Sequence, residues 1–466
     1  MTEPAAVTLA RHFSSLTIDR IPAKHLADAR ALIADWFGVA LAGSRAGSGA
    51  IARRFAVETG GREEASLVNG GGARVPAVHA AFANAIASHS VELDDVDILA
   101  LFHFSPPVVA AALAAAERAG SSGAELLTAV VAGCEAMARL SDATNPSLRD
   151  RGYHTTPAVG VFGAAVAAGL LFRLDEEAMT SALGLAGAQA SGLMEMYGPS
   201  MQKRFNPGPA ARNGVTSAVM AQLGFTGAAT ILDGQRGFCR AFSDQFDPAA
   251  LTRGLGTEFP IFIEYKAYAC ARPIHNGIDC AIDIRRQMGA ARVDGIRRIT
   301  IRRHPAWAHY HQIPRPATHH EAQVSLNYSV AVALREGAAL LPQYTDEKVH
   351  EPGILRLSEM VTVVPDDSLP RGVSCHMTVE AEDGAIFTSQ VDHPRGSIAN
   401  PMTPAEAAAK THLLADPVIG AASVDRLLEQ IARVESLPRA AELMALAQGA
   451  PAGARKPEDA HLEHAS

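Results

Sequence analysis

Between residue 22 and about residue 250, apolar side chains recur at helical spacing almost without a break, and only after about residue 265 does the spacing turn to alternation. This change of period constrains the fold more than any other feature, because helical and strand segments bury different faces. In the first segment Leu26, Ala29, Leu32, Ile33, Trp36, Phe37 and Ala40 form a stripe before Gly43, read as an amphipathic helix with a glycine stop. A second helix is expected from Ser105, with Pro106 and Pro107 in its first turn, to a halt at Gly120. A third opens on the capping box Ser122-x-x-Glu125 and should reach about Arg139. Asp175, Glu176 and Glu177 place acid at the positive end of another. Alanine and glycine are so frequent, as in the run Ala110 to Ala116, that helix axes can approach closely.

In the second segment Ile299 and Ile301 alternate with Thr300 and Arg302, and Met360 to Val364 is a β-branched run ending at Pro365. Two further alternating stretches, His376 to Glu380 and Ala385 to Val391, flank Asp383-Gly384, a strong hairpin signal. A helix is expected from about Glu321 to Glu336, stopped by Gly337. Helix resumes at Thr403-Pro404-x-Glu406, another capping box, and continues to about Ala447. The chain should therefore be mainly α. A large all-helical domain (1–265, returning at 398–448) should carry an inserted, smaller α+β lid domain (266–397), with a flexible polar tail at 449–466. A cleft between the two lobes is the expected place for a ligand.

The formal charge of −8, with no basic run, excludes a nucleic-acid footprint. Five sparse cysteines, 134, 239, 270, 280 and 375, argue against a disulfide framework and for a reducing compartment. The first residues lack the pattern of a secretory signal, and Thr155 to Phe172, interrupted by glycines, falls short of a membrane span. A cytoplasmic protein is expected.

Four segments could carry chemistry. His89 to Asp97 holds Glu92, Asp94, Asp95 and Asp97, with His103 just beyond. Acids this dense are solvated, paired or used, so one of them is a candidate base or substrate contact. The alternatives are a solvated acidic loop that caps the next helix, and a divalent-metal site of Asp94, Asp95, Asp97 and His103, whose spacing matches no known loop. His154 precedes an apolar helix, where its imidazole would tend to be neutral. Lys203 and Arg204 lie in a Pro- and Gly-rich turn suited to clamping a carboxylate, or simply solvated. Lys266, Arg272 and His275 fall at the junction of the lobes. Cys270, His275 and Cys280 do not fit a zinc site, and dinucleotide, P-loop, serine-hydrolase and zinc-hydrolase motifs are absent. No cofactor and no metal are expected. What remains is acid/base chemistry on a small anionic substrate, or a helical binding protein without chemistry.

Several segments together resemble the MmgE/PrpD family. They are Asp35-Trp36-Phe37-Gly38, His89 to Asp95 with His103, Gly152-Tyr153-His154, Lys203 to Gly208, Gly224 to Gly227, Lys266 to Arg272 with His275, Glu321 to Leu326, and Pro394 to Ser397 with Pro401 to Thr403. The resemblance spans about residues 5 to 447. It implies a helical domain with an α+β lid, usually as a homodimer, acting beside a carboxylate on small polycarboxylic acids as a dehydratase, decarboxylase or epimerase. It also implies that Asp94, His103, His154, Lys203 and Lys266 line the active site, with Tyr328 matching a tyrosine there. The decarboxylase members differ in having Asp at Glu92, Thr at Val96, His at Ala271 and His at Asn206. These departures point away from cis-aconitate decarboxylation, unless His275 stands in for the missing lid histidine. The expected activity is a cofactor-independent lyase of dehydratase type on a hydroxylated di- or tricarboxylate, with an epimerase or decarboxylase as the alternative. His154 would be the main acid/base group, Asp94 and His103 would support it, and Lys203, Lys266 and Arg272 would hold carboxylates.

Overall fold

The computed structural model describes residues 3–449 apart from 98, 371 and 373. The helical body uses α1 (Ala23–Gly43), α2 (Ala77–His89), α3 (Ser105–Ala119), α4 (Gly123–Thr144), the short α5 (Ser147–Asp150), α6 (Thr155–Leu171), the short α7 (Gln202–Phe205) and α8 (Pro207–Gln222), among other helices. The expected caps form. Ser122 and Glu125 make the reciprocal capping box of α4, Gly120 ends α3 in the left-handed conformation, and Asp175 accepts the backbone N–H of Ala178. Small residues set the interhelical spacing. A Cβ on Gly133 of α4 would lie 2.8 Å from the Gly163 carbonyl of α6, and one on Gly163 would lie 2.7 Å from the Gly133 carbonyl.

Gly43 is not a stop. It is the last residue of α1, and a Cβ there would meet the Ala87 carbonyl of α2 at 1.8 Å, so its smallness serves packing.

The C-terminal part contains α9 (His275–Met288), α10 (Leu326–Glu336) and a four-stranded sheet. Its strands are β1 (Ile296–Arg303), β2 (Val361–Pro365), β3 (Cys375–Ala381) and β4 (Ile386–Val391), in the order β2-β1-β3-β4. β1 pairs parallel with β2, Ile299 opposite Val361, and antiparallel with β3. β3 and β4 form the hairpin around Asp383-Gly384, where Gly384 takes φ 85°. Cys375, Met377, Val379 and Ala381 alternate inward, giving the sheet one buried face. The helix expected over 321–336 is interrupted. His319–Ala322 forms a separate turn, and Ser325 starts α10 by accepting the Tyr328 N–H at 3.0 Å.

Two hydrophobic cores result. The smaller one also takes in Val39, Val91, Leu93 and Leu414 from the helical part, so the two regions are packed together. The returning helix α11 (Pro404–Ile419) lies on α1. There the buried Lys410 Nζ donates to Asp35 Oδ1 at 2.6 Å and to the Leu93 carbonyl at 2.7 Å. Lys410 thus ties three segments together, and burial pushes the Asp35 carboxyl up to about 6 despite that cation. The return is broken at Gly420, before Ala421–Ala432. The expected tail lies outside the described residues from residue 450 onward. No helix among the described residues is long and apolar enough to cross a membrane.

Candidate active site

The acidic segment connecting α2 to α3 is not solvated. Glu92, Asp94, Asp95 and Asp97 are all buried, and each has a distinct set of partners. Asp95 caps α3, accepting the N–H groups of Phe104 (2.8 Å) and Ser105 (3.0 Å). Asp97 accepts from Leu99 and Ala100 and closes a turn, while burial pushes its carboxyl up to about 7. Val96 exchanges two backbone hydrogen bonds with Glu264, both 2.9 Å, joining the segment to the entrance of the C-terminal part.

Glu92 and Asp94 hold the charges of the site. The Glu92 carboxylate pairs with Lys203 and Arg204 through Oε1 and with Lys266 Nζ through Oε2 at 3.0 Å. Burial alone would raise its pKa, but the three cations outweigh burial and hold it well below the usual range. Asp94 Oδ2 accepts from two imidazoles, His89 Nδ1 at 2.7 Å and His103 Nδ1 at 2.9 Å, and Asp94 Oδ1 lies 3.6 Å from Lys266. His89 is pushed down to about 3, chiefly by burial, and its Nε2 accepts from Lys203 Nζ at 3.5 Å. Burial, reinforced by Arg204 and Lys266 and opposed by Glu92, lowers Lys203 to about 8. Burial also lowers Lys266, but Glu92 and Asp94 prevail and raise it.

The neighbours of His103 and His154 fix opposite tautomers. His103 Nδ1 faces the Asp94 carboxylate and, at 2.5 Å, the Asp95 carbonyl. Both groups only accept, so Nδ1 carries a proton, and in the neutral ring the lone pair stands at Nε2. His154, at the N-terminus of α6, accepts at Nδ1 from the Asn206 amide at 3.0 Å, which leaves an N–H at Nε2. Burial, then the Lys203 charge, holds His154 neutral, well below its ordinary value.

These groups face one cavity. Its helical wall carries Glu92, His103, Arg149, His154, Tyr197 and Lys203, and its C-terminal wall carries Lys266, Ala271, Arg272, Pro273 and His311. The space is about 40 Å³, room for roughly three waters at ~10–15 Å³ each. Any ligand larger than a few waters requires the walls to part.

Of the expected site residues, His103, His154, Lys203, Lys266 and Arg272 line this cavity, and Asp94 supports His103 from behind. Three others do not reach it. His275 is fully buried, with Nδ1 on Arg272 Nη1 (3.1 Å) and Nε2 on the Cys270 carbonyl (3.3 Å), so neither nitrogen is free to replace a histidine at Ala271. Arg204 is turned onto Glu92 and Gln323 Oε1. Tyr328 sits in the smaller core and donates to the Gln343 carbonyl at 2.6 Å. Arg272 grips Glu264 Oε2 through Nε (3.0 Å) and Nη2 (2.8 Å).

Among the described residues, only His89, Asp94 and His103 come close enough to share an ion, their ligand atoms lying within 4.8 Å of one another. An ion there would displace the Nδ1 protons that Asp94 now accepts. Asp95 and Asp97 are committed to backbone N–H groups. Sequence reasoning misses His89, Arg149, Tyr197 and His311 and the central place of Glu92. Only His89 carries a local signal, its position five residues before Asp94.

The MmgE/PrpD N-terminal domain matches residues 7–251, and the MmgE/PrpD C-terminal domain matches residues 268–435. A cis-aconitate decarboxylase-like protein of Aspergillus oryzae is 30% identical over 396 residues, covering 79% of this chain and 82% of the relative. The cis-aconitate decarboxylase of Aspergillus terreus is 28% identical over 93% of this chain and 94% of its own. The human cis-aconitate decarboxylase is 27% identical over 81% and 80%. Both halves of the sequence are matched in order, and the chain belongs to the MmgE/PrpD family.

Proposed function

We propose that the protein is a lyase that removes water from, or adds it to, a small hydroxylated di- or tricarboxylic acid beside one of its carboxylates. The observation that carries this reading is the pair of imidazoles in opposite tautomers, His103 with a lone pair and His154 with an N–H, beside a lysine lowered to about 8. Elimination needs a base, a group for the developing enolate and an acid for the leaving hydroxyl, and these three supply one of each.

His103 Nε2 takes the proton α to the carboxylate, and Asp94 stabilises the imidazolium that forms. The C–H electron pair moves into the carboxylate, whose added charge is met by the His154 N–H and the Lys266 ammonium. The pair then forms the alkene and expels the β-hydroxyl, which leaves as water with a proton from Lys203. Two of the ammonium donors of Lys203 are held by Glu92 and His89, leaving a third for this transfer. The His103 imidazolium returns its proton to the Lys203 amine and the site is reset. In this scheme His103, rather than His154, is the base, because the Asn206 amide occupies the lone pair of His154.

A second reading, decarboxylation, is favoured by the names of the relatives. It requires a proton donor for the carbon that loses CO₂; Ala271 offers none, so Lys266 or His311 on the C-terminal wall would have to supply it. Incubation with cis-aconitate in H₂¹⁸O separates the two. Hydration puts ¹⁸O into a hydroxy acid with no gas released, whereas release of CO₂ with a five-carbon acid would replace the proposal.

A further inference from the structure

Among the described residues, every cavity cation but one is paired. Lys203 and Lys266 are held by Glu92, and Arg272 by Glu264. The guanidinium of Arg149, on the helical wall, has no hydrogen bond or ion pair among the described residues, although the residue is only partly exposed. Its base is nevertheless rigid. Leu148 beside it is fully buried, Ser147 Oγ accepts the Asp244 N–H at 2.8 Å, and Arg151 pairs with Asp244 at 2.9 Å. A planar five-donor head on a fixed base, facing a cavity and lacking an acceptor, is prepared for a ligand carboxylate.

The same part of the cavity holds Tyr197, whose hydroxyl also has no partner among the described residues, and His311, whose Nδ1 donates to the Val324 carbonyl at 3.0 Å. The Tyr197 hydroxyl supplies a second donor for an anion, and His311 Nε2 an acceptor for a hydroxyl. Arg149 adds to the cavity a positive charge that no carboxylate of the described residues pairs.

We propose that Arg149 binds a second carboxylate of the substrate, distinct from the one beside the reacting carbon, so that the site selects acids with two or more carboxylates. This rests on the reading of the cavity as a site for small carboxylic acids. Arg149 is a specificity residue in this account and takes no part in proton transfer.

Isothermal titration calorimetry with two unreactive probes, tricarballylate (propane-1,2,3-tricarboxylate) and butyrate, tests it without turnover. Tricarballylate should bind the wild-type protein and bind R149Q roughly 10- to 100-fold more weakly, the range for losing a charge-assisted hydrogen bond. Butyrate should bind both proteins equally. Equal tricarballylate affinity in the two proteins would overturn the role of Arg149 and leave the site reading standing. No tricarballylate binding to the wild type would overturn both. Should R149Q fail to fold, R149K carries the same test, because it keeps the charge and loses the planar fork. Weaker tricarballylate binding by R149K supports the proposal and wild-type affinity overturns it.

Discussion

The helical wall of the cavity offers His103, with Asp94 behind it, as well as His154 and Lys203. The C-terminal wall faces it with Lys266, Arg272, the methyl of Ala271 and one imidazole, His311, whose Nδ1 is tied to the Val324 carbonyl, while His275 lies behind the wall, spent on Arg272 and a carbonyl. In the proposed scheme proton transfer is carried by one wall, through His103 and Lys203, and charge recognition extends over both. On that reading, movement between the two regions would change how tightly a substrate is held before it changed the proton-transfer groups, which ride on α7 and the segment between α2 and α3.

The largest expected effect breaks this comparison outright if it fails. His103→Ala should lower kcat by ~10²–10⁴, the usual contribution of a positioned proton-transfer group. His275→Ala, measured in the same steady-state assay, should lower kcat far less once the folded fraction is matched. Equal losses would put proton transfer on both walls.

Next in size is the hub between the walls. Glu92→Gln leaves Lys203, Arg204 and Lys266 buried with one counter-ion removed, and should destabilise the fold by about 3–5 kcal/mol in equilibrium urea unfolding. A loss below about 1 kcal/mol would mean that the cations find water or other partners.

The buried imidazoles give the pH dependence of stability a component of definite sign. His89 is lowered from 6.5 to about 3 and His154 in the same direction, so below about pH 6.5 the unfolded chain binds protons that the folded chain refuses. Glu92 and Asp94, both held below their ordinary values, add to the loss as pH falls below about 4.5. Asp35 and Asp97, raised to about 6 and about 7, act in the opposite direction over the same range, so the imidazole contribution is read as a difference: the urea midpoint of wild type should fall relative to that of His89→Gln from about pH 7 to about pH 4. A difference that does not change with pH would contradict a neutral, buried His89.

The smallest effect sharpens the boundary of the site. Tyr328→Phe removes one hydrogen bond to the Gln343 carbonyl, so it should cost ~1 kcal/mol of stability and leave kcat/KM unchanged. A tenfold drop in kcat/KM at unchanged stability would bring Tyr328 back into the cavity.

Signals that act within a few residues are legible in the amino-acid sequence. The Asp383-Gly384 hairpin, the Ser122-Glu125 box and the left-handed Gly120 depend on neighbours in the chain, and all form. The break before α10 is not legible, because Gln323 leaves helix to donate to the Val91 and Ala269 carbonyls, a choice made by tertiary contacts. The site follows the same rule. Asp94, His103 and His154 stand out as reactive residue types, but the partners of Glu92 lie 111 and more residues away. No local pattern separates a buried Glu92 paired with three cations from a solvated acid. Arg149, in Asn145-Pro146-Ser147-Leu148-Arg149-Asp150, looks like any surface arginine until its neighbours pair and it does not.

The most direct test of the proposed chemistry is proton NMR of the purified protein in D₂O with hydroxylated di- and tricarboxylates, comparing wild type with His103→Ala. Alkene proton resonances that grow from a hydroxy acid with the wild type, and are lost with the variant, are the expected result. Exchange of the α-proton with no alkene, or alkene formation at equal rates in both proteins, would contradict elimination driven from the helical wall.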